Sequence, residues 1–174
     1  MDGPFNTKNE TLLSEIPPIK FEGPETSSQL AYRYYDKARL VLGRRMEDHL
    51  RMAVCYWHSF CWDGADMFGR GPFDRPWQNP SIDRSAADAR MEAAFSFFQK
   101  LGLPFYTFHD VDVTELSETP SQLSENFRRA SAQLERYQEE TGVKLLWGTA
   151  NLYSHPRSAA GGLTNTDPEI EACA

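Results

Sequence analysis

The sequence has few cysteines, fewer basic than acidic residues and no long apolar run. Three cysteines occur in 174 residues, at positions 55, 61 and 173, and their spacing matches no metal-binding motif. A small, odd number of cysteines also argues against a disulfide framework. No apolar stretch approaches the roughly 20 residues that a membrane-spanning helix needs. We therefore expect a protein of a reducing compartment with no membrane partner.

The charge balance excludes a second group of partners. Lysine and arginine number 18 against 25 acidic residues, which gives a formal net charge of -7 at pH 7. Surfaces that bind nucleic acids or anionic membranes need concentrated positive charge, because they bind phosphate groups. The first residues also lack the basic and apolar regions of a secretory signal. We expect a cytoplasmic protein that does not bind nucleic acid.

The chain divides into two regions of different character. Apolar residues make up 40 % of it and aromatic residues 13 %, enough for a packed core. Residues 1–35 are polar and rich in proline and serine, which predicts an irregular arm. A helix is predicted over 36–50, so that 1–50 form an arm with a helix. Residues 51–174 carry the periodic pattern of a folded domain.

From residue 51 onward, segments of strand length alternate with segments of helical periodicity. The predicted strands lie at 52–57, 105–109 and 143–147. The predicted helices lie at 81–101 and 120–141, and a further helix starts at Asp167-Pro168, after a loop with Gly161-Gly162. A long loop rich in glycine and aspartate separates the first strand from the first helix.

Capping residues support these helix boundaries. Thr119 precedes Pro120 and lies three residues before Gln122, which is typical of a helix N-terminus. Gly102 and Gly142 lie where helix C-termini favour a left-handed residue. The helix boundaries are therefore supported independently of the apolar periodicity.

Alternating strands and helices predict βαβ units around a parallel sheet. An open doubly wound sheet and a closed barrel both fit this order. No Gly-x-Gly-x-x-Gly motif follows the first strand, so a dinucleotide-binding fold has no positive support. Three βα units would also leave an unpaired sheet edge. We therefore expect a piece of a longer chain, or one that another chain completes.

The polar residues at the ends of the predicted strands are the candidates for chemistry. His109 ends the second strand and Asp112 follows three residues later. A histidine held by a carboxylate has a fixed tautomer and suits proton transfer to or from a hydroxyl. These could equally be ordinary polar residues at a strand-to-loop junction. A metal site made of His109, Asp110 and Asp112 is a weaker hypothesis, because adjacent strand residues point to opposite faces.

Three tryptophans follow or end strands, at positions 57, 62 and 147. Indole faces stack well on the carbon atoms of sugars, so these residues could form the apolar wall of a sugar pocket. Packing in the core is the alternative for each of them. Cys55 and Cys61 are most simply small apolar residues that fill space.

Four stretches in the predicted order and spacing resemble xylose isomerase, in particular the class with the longer N-terminal arm. They are 42–51 (LGRRMEDHLR), 56–69 (YWHSFCWDGADMFG), 104–112 (PFYTFHDVD) and 142–151 (GVKLLWGTAN). The resemblance covers nearly all of residues 19–171 and leaves out 1–18.

This resemblance implies the N-terminal part of a (β/α)₈ TIM barrel, with about three βα units after the arm and its helix. The family forms homotetramers and interconverts D-xylose and D-xylulose by a metal-assisted hydride shift after ring opening. It uses two Mg²⁺ ions per subunit, which Mn²⁺ or Co²⁺ can replace. The implied catalytic residues are His109 and Asp112. The implied substrate-binding residues are Trp57, Trp147, Thr149 and, in the neighbouring subunit's site, Phe68.

The sequence also departs from that family. The metal ligands and the catalytic lysine of xylose isomerases belong to later strands, which have no counterpart here. We therefore expect no metal site and no isomerase activity from this chain alone. A non-catalytic oligomerisation or interaction module is the main alternative. A related barrel enzyme, such as a sugar epimerase or an endonuclease, is less favoured, because it would not need a ring-opening pair like His109 and Asp112.

Overall fold

The computed structural model describes residues 13–69, 71–75, 77–78, 84–115, 117, 119–154 and 156–174. It is a mixed α/β structure with a two-stranded antiparallel sheet and a three-stranded parallel sheet. The first part of the predicted arm (1–12) and the predicted start of the first long helix (81–83) lie outside the described residues.

The structure of the region before residue 51 differs from the prediction of a long helix there. Instead of a helix over 36–50, strands β1 (Leu40–Val41) and β2 (Arg44–Arg45) pair antiparallel, and only α1 (Met46–His49) is helical. The two residues between the strands, Leu42 and Gly43, have φ of 50° and 80°. Two consecutive positive φ angles give the tight turn of a β-hairpin and cannot occur inside a right-handed helix.

The parallel sheet has the three predicted strands in chain order. Strand β4 (Phe105–His109) lies between β3 (Ala53–Cys55) and β5 (Lys144–Thr149), and both neighbours pair with it in parallel. Strand β3 is shorter than the predicted 52–57, because a π-helical turn begins at Trp57 and continues to Cys61. Strand β5 continues two residues past the prediction. A three-stranded parallel sheet of this order is compatible with part of a TIM barrel.

The helices follow the capping residues closely. They are α2 (Arg84–Leu101), α3 (Asp110–Val113), α4 (Pro120–Thr141) and α5 (Pro168–Cys173), with a 3₁₀ turn at Pro156–Ser158. The Thr119 side chain accepts a hydrogen bond from the backbone N–H of Gln122, as predicted for a helix start. Gly102 has φ of 64°, and the amides of Gly102 and Leu103 donate to the carbonyls of Gln99 and Phe98. This pair of hydrogen bonds closes the C-terminus of α2.

Aromatic side chains fill the space between the sheet and helices α2 and α4. Phe95 stacks on Tyr137 with ring centroids 4.7 Å apart, and Phe98 stacks on Tyr106 at 5.5 Å. Phe98 and Tyr106 are fully buried. Alternate residues of β4 point to opposite faces of the sheet, so Tyr106 and Phe108 face the helices while Thr107 and His109 face away. The core therefore fixes which residues of β4 reach the other face.

The two outer strands differ in burial. Val54 at the centre of β3 is buried, whereas every residue of β5 is exposed. Among the described residues, no helix is long and apolar enough to cross a membrane.

Candidate functional site

The C-terminal ends of the three parallel strands meet at one edge of the sheet, as parallel strands must. His109 ends β4 and is paired in register with Thr149, the last residue of β5. Trp57 begins the turn that follows β3. The structure thus brings together three side chains that are far apart in the sequence.

A short helix directly after β4 positions Asp112 beside His109. His109 is the N-cap of α3, with extended backbone, and Asp112 is the third residue of that helix. Oδ2 of Asp112 accepts a hydrogen bond from the backbone N–H of His109 at 2.7 Å, as in a capping box. The same oxygen lies 3.2 Å from Nδ1 of the His109 ring. The spacing of three residues therefore has a local cause, since one helical turn returns the carboxylate to the strand end.

Burial sets the electrostatics of this pair. The Asp112 side chain is 3 % exposed and that of His109 is 12 % exposed. Burial raises the pKa of Asp112, and its hydrogen bonds and charge interaction with His109 act against that rise. When Asp112 is ionised, only a protonated Nδ1 can donate to it, so Nε2 is left as the proton acceptor of the neutral ring.

Two tryptophans border the histidine. The ring centroids of Trp57 and His109 lie 6.1 Å apart, and those of His109 and Trp147 lie 6.0 Å apart, both nearly edge-to-face. Both indoles are about half exposed, so they form a surface and are not part of the core. Trp62 lies elsewhere: its ring packs on Phe73, and its Nε1 donates to the carbonyl of Ala65.

Tyr153 is a further side chain at the site, and it was not predicted from the sequence. Its hydroxyl lies 2.9 Å from Nε2 of His109, and the two rings are perpendicular with centroids 6.0 Å apart. Tyr153 lies in the irregular segment after β5, where no periodicity or motif marks a functional position. Only its position in the sequence, four residues after Thr149 at the end of β5, could have suggested that it lies near the site.

A buried polar cluster lies behind the His109–Asp112 pair and corrects the prediction for Cys61. Nη1 of Arg90 lies 3.1 Å from Sγ of Cys61, whose thiol is 3.7 Å from the backbone oxygen of Asp112. Cys61 is therefore in polar contact and does more than fill space. Burial raises the pKa of the Cys61 thiol to about 12, although Arg90 opposes the rise. The thiol stays protonated at neutral pH and is not a nucleophile.

Phe68 lies away from this group. It is 88 % exposed, in a loop where its backbone N–H donates to Oδ1 of Asp66 at 2.8 Å. An aromatic side chain this exposed is free to reach another molecule. Its role in a neighbouring subunit's site stays a prediction.

The described residues contain no group of three or more His, Cys, Asp or Glu side chains that could hold a metal ion. The weaker hypothesis of a His109, Asp110 and Asp112 site has no support in the geometry. Oδ1 of Asp110 accepts hydrogen bonds from the backbone amides of Val111 and Asn151. The donor set formed by these described residues does not fit a divalent ion.

Comparison with known proteins supports the resemblance noted in the sequence. No family model matches the chain. Curated proteins named xylose isomerase match it at 55 % identity in Paraburkholderia xenovorans, 53 % in Solibacter usitatus and 49 % in Salmonella typhi. These matches cover 93 %, 92 % and 95 % of the chain, respectively.

The chain resembles xylose isomerases over nearly its whole length. It spans only 37 % to 38 % of the length of those three relatives. The shortest of these three alignments covers 161 of the 174 residues and so leaves out 13. The residues of the candidate site lie more than 13 residues from either end of the chain and are therefore within the aligned part. The activity of the longer xylose isomerase relatives is therefore a proposal for this chain.

Proposed function

We propose that this chain is the ring-opening part of a xylose isomerase, which interconverts D-xylose and D-xylulose. The observation that carries the proposal is the His109–Asp112 pair between Trp57 and Trp147. The identity to proteins named xylose isomerase supports the choice of sugar.

The pair has the geometry of an oriented base. Asp112 holds Nδ1, so Nε2 of His109 can take a proton from a sugar hydroxyl. The imidazolium that forms lies beside a buried carboxylate, which stabilises its positive charge. Returning the proton to the ring oxygen would complete the opening of the cyclic sugar.

The tryptophans account for binding. A sugar ring placed between Trp57 and Trp147 would contact two half-exposed indole faces on either side of the histidine. Thr149 is the register partner of His109 and is exposed, so its hydroxyl is available to the same sugar. Phe68 would complete the wall of a neighbouring subunit's site.

The remaining parts of the proposal come from the resemblance. We propose that the three βα units belong to a (β/α)₈ barrel in a cytoplasmic homotetramer. Two Mg²⁺ ions, or Mn²⁺ or Co²⁺, would be held by other parts of the longer protein. When bound, such ions supply Lewis acidity for the hydride shift between C1 and C2. No described residue of this chain carries that step.

The first test combines an intact mass of the native protein with conversion of D-xylose to D-xylulose in Mg²⁺, before and after EDTA. We expect a mass well above that of 174 residues and EDTA-sensitive conversion. His109→Gln should lower kcat/KM by about 10²- to 10⁴-fold, the usual contribution of a general base. The matched control is His49→Gln in α1, where the ring contacts the carbonyl of Val41.

Three results would contradict parts of the proposal. A longer native protein without xylose conversion would support the alternative of a non-catalytic interaction module. Full activity of His109→Gln would show that the chemistry lies elsewhere. Conversion by a native protein of only this length would refute the requirement for further strands.

A further inference from the structure

We propose that Tyr153 is a catalytic residue that relays a proton between His109 and the sugar. This inference rests on the proposed function, because it names a further residue for the same ring-opening step. It assigns a role to a side chain that no motif of the sequence marks.

Tyr153 completes the hydrogen bonding of the histidine ring. Nδ1 of His109 faces Asp112 at 3.2 Å, and Nε2 faces the Tyr153 hydroxyl at 2.9 Å. Both ring nitrogens are therefore engaged, and a sugar oxygen can reach Nε2 only by displacing the hydroxyl or through it. The short, direct contact favours transfer through the hydroxyl.

A phenol suits this position because its hydroxyl both donates and accepts. It donates to Nε2 when the ring is neutral and accepts from Nε2–H when the ring is protonated. His109 can therefore gain and lose a proton without losing its partner. An ammonium group only donates, and an amide donates and accepts through different atoms, so either would satisfy fewer of these states.

The relay conserves atoms and charge. The anomeric O1–H of the cyclic sugar gives its proton to the Tyr153 oxygen, while Tyr153 passes its own proton to Nε2. The C1–O1 double bond forms as the C1–O5 bond breaks, and the electron pair of that bond stays on O5. The imidazolium then returns its proton through Tyr153 to O5. No other reactant is needed, and both residues end as they began.

The backbone around Tyr153 is tied to the same strand end as His109. The Asp110 carboxylate, directly after His109, accepts a hydrogen bond from the backbone N–H of Asn151 at 2.9 Å. The Asn151 side chain in turn accepts from the backbone amides of Tyr153 and Ser154, at 3.2 Å and 3.0 Å. The tyrosine is thus held relative to the histidine through two polar side chains, whereas packing contributes little.

The exposure of Tyr153 makes a clean experiment possible. The residue is 65 % exposed, so removing only its hydroxyl should not affect folding. Tyr153→Phe is compared with wild type and with Tyr34→Phe, which removes the hydroxyl of an 82 % exposed tyrosine in the arm. The purified native protein is assayed with D-xylose, with D-xylose deuterated at C2, and in D₂O.

We expect Tyr153→Phe to lower kcat/KM about ten- to hundred-fold, the effect of one hydrogen bond to a charged group. Ring opening would then become the slow step. The isotope effect of deuterium at C2 on kcat/KM should therefore fall toward one, and the effect of D₂O on kcat/KM should rise. A purely structural change would not cause this combination. Unchanged kcat/KM and isotope effects in Tyr153→Phe, with an active wild type, would overturn the relay.

A second measurement does not depend on activity. The ¹⁵N shifts of His109 should report a hydrogen-bonded Nε2 in wild type and in Tyr34→Phe, and a change in Tyr153→Phe. Identical shifts in all three proteins would show that the hydroxyl does not bind Nε2 and would overturn the proposal. An inactive wild type with the expected shifts would instead refute the proposed function. The contact between Tyr153 and His109 would then be established, but the relay would be refuted because there is no reaction for it to serve.

Discussion

Replacing Asp112 by asparagine tests whether this buried carboxylate acts on His109 through its charge. One oxygen, Oδ2, lies 2.7 Å from the backbone nitrogen of His109 and 3.2 Å from Nδ1. The carbonyl oxygen of asparagine can take the same place and keep both contacts. What is lost is the difference between a charge-assisted and a neutral hydrogen bond, roughly 1–1.5 kcal/mol.

The loss in stability is reduced further because Asp112 is buried. Burying a carboxylate that is 3 % exposed costs desolvation free energy, and burying a neutral amide costs less. We expect the free energy of unfolding at pH 7 to change by less than about 1 kcal/mol. In contrast, kcat/KM for D-xylose should fall about 10²- to 10⁴-fold, since the imidazolium of His109 loses its counter-charge.

The pH dependence of the free energy of unfolding gives a second test of Asp112→Asn. Burial raises the pKa of Asp112, so the folded protein holds this proton more tightly than the unfolded chain does. The stability that this carboxyl contributes is therefore greatest below the unfolded pKa of about 4 and falls as the pH rises through the folded pKa. Asp112→Asn should remove that decline in urea unfolding measured across this pH range.

The matched control is Asp36→Asn, shortly before β1, where the carboxylate accepts one backbone hydrogen bond from Ala38. It should leave both activity and the decline unchanged. Full kcat/KM in Asp112→Asn would refute the reasoning, because the charge would then be unnecessary. A loss of stability above about 3 kcal/mol would show that the carboxylate serves mainly to hold the fold.

Three substitutions test the fold by urea unfolding. Phe98→Ala should lower the free energy of unfolding by about 3–5 kcal/mol, because the ring is fully buried between α2 and β4. Leu42→Asn should raise it by about 1 kcal/mol, because Leu42 has φ of 50°, which asparagine tolerates better. Thr119→Ala should lower it by about 1 kcal/mol through loss of the α4 N-cap.

Each of these substitutions has its own control. Phe21→Ala removes a ring that is 44 % exposed and should cost much less than Phe98→Ala. Leu40→Asn lies in β1, outside the turn, and should bring no gain. Thr119→Ser keeps the capping hydroxyl and should behave as wild type. Equal effects in a variant and its control would contradict the cause assigned to that position.

Local signals predicted most of the parallel sheet and its helices. The N-cap at Thr119 and the left-handed glycines at 102 and 142 act within one helical turn, so the sequence alone places them. The same holds for the His109–Asp112 pair, whose contact needs only the turn of α3. The apolar periodicity likewise predicted where α2 and α4 lie in the chain.

Local signals failed where backbone geometry or distant contacts decide. The segment 36–50 has a helical pattern, but the turn at Leu42-Gly43 produces a hairpin. The polar contact between Arg90 and Cys61 joins residues 29 positions apart and has no periodic signature.

By itself, the sequence determined the alternation of strands and helices and the resemblance to xylose isomerases, and it made His109 and Asp112 the leading candidates for a pair. The tertiary structure alone decided how the side chains are arranged around that pair. Parallel pairing of β3, β4 and β5 brings Trp57 and Trp147 to the two sides of His109. It also places Tyr153 on Nε2, 44 residues away in the chain. Such contacts depend on sheet register and loop path, which residue types and spacing do not specify.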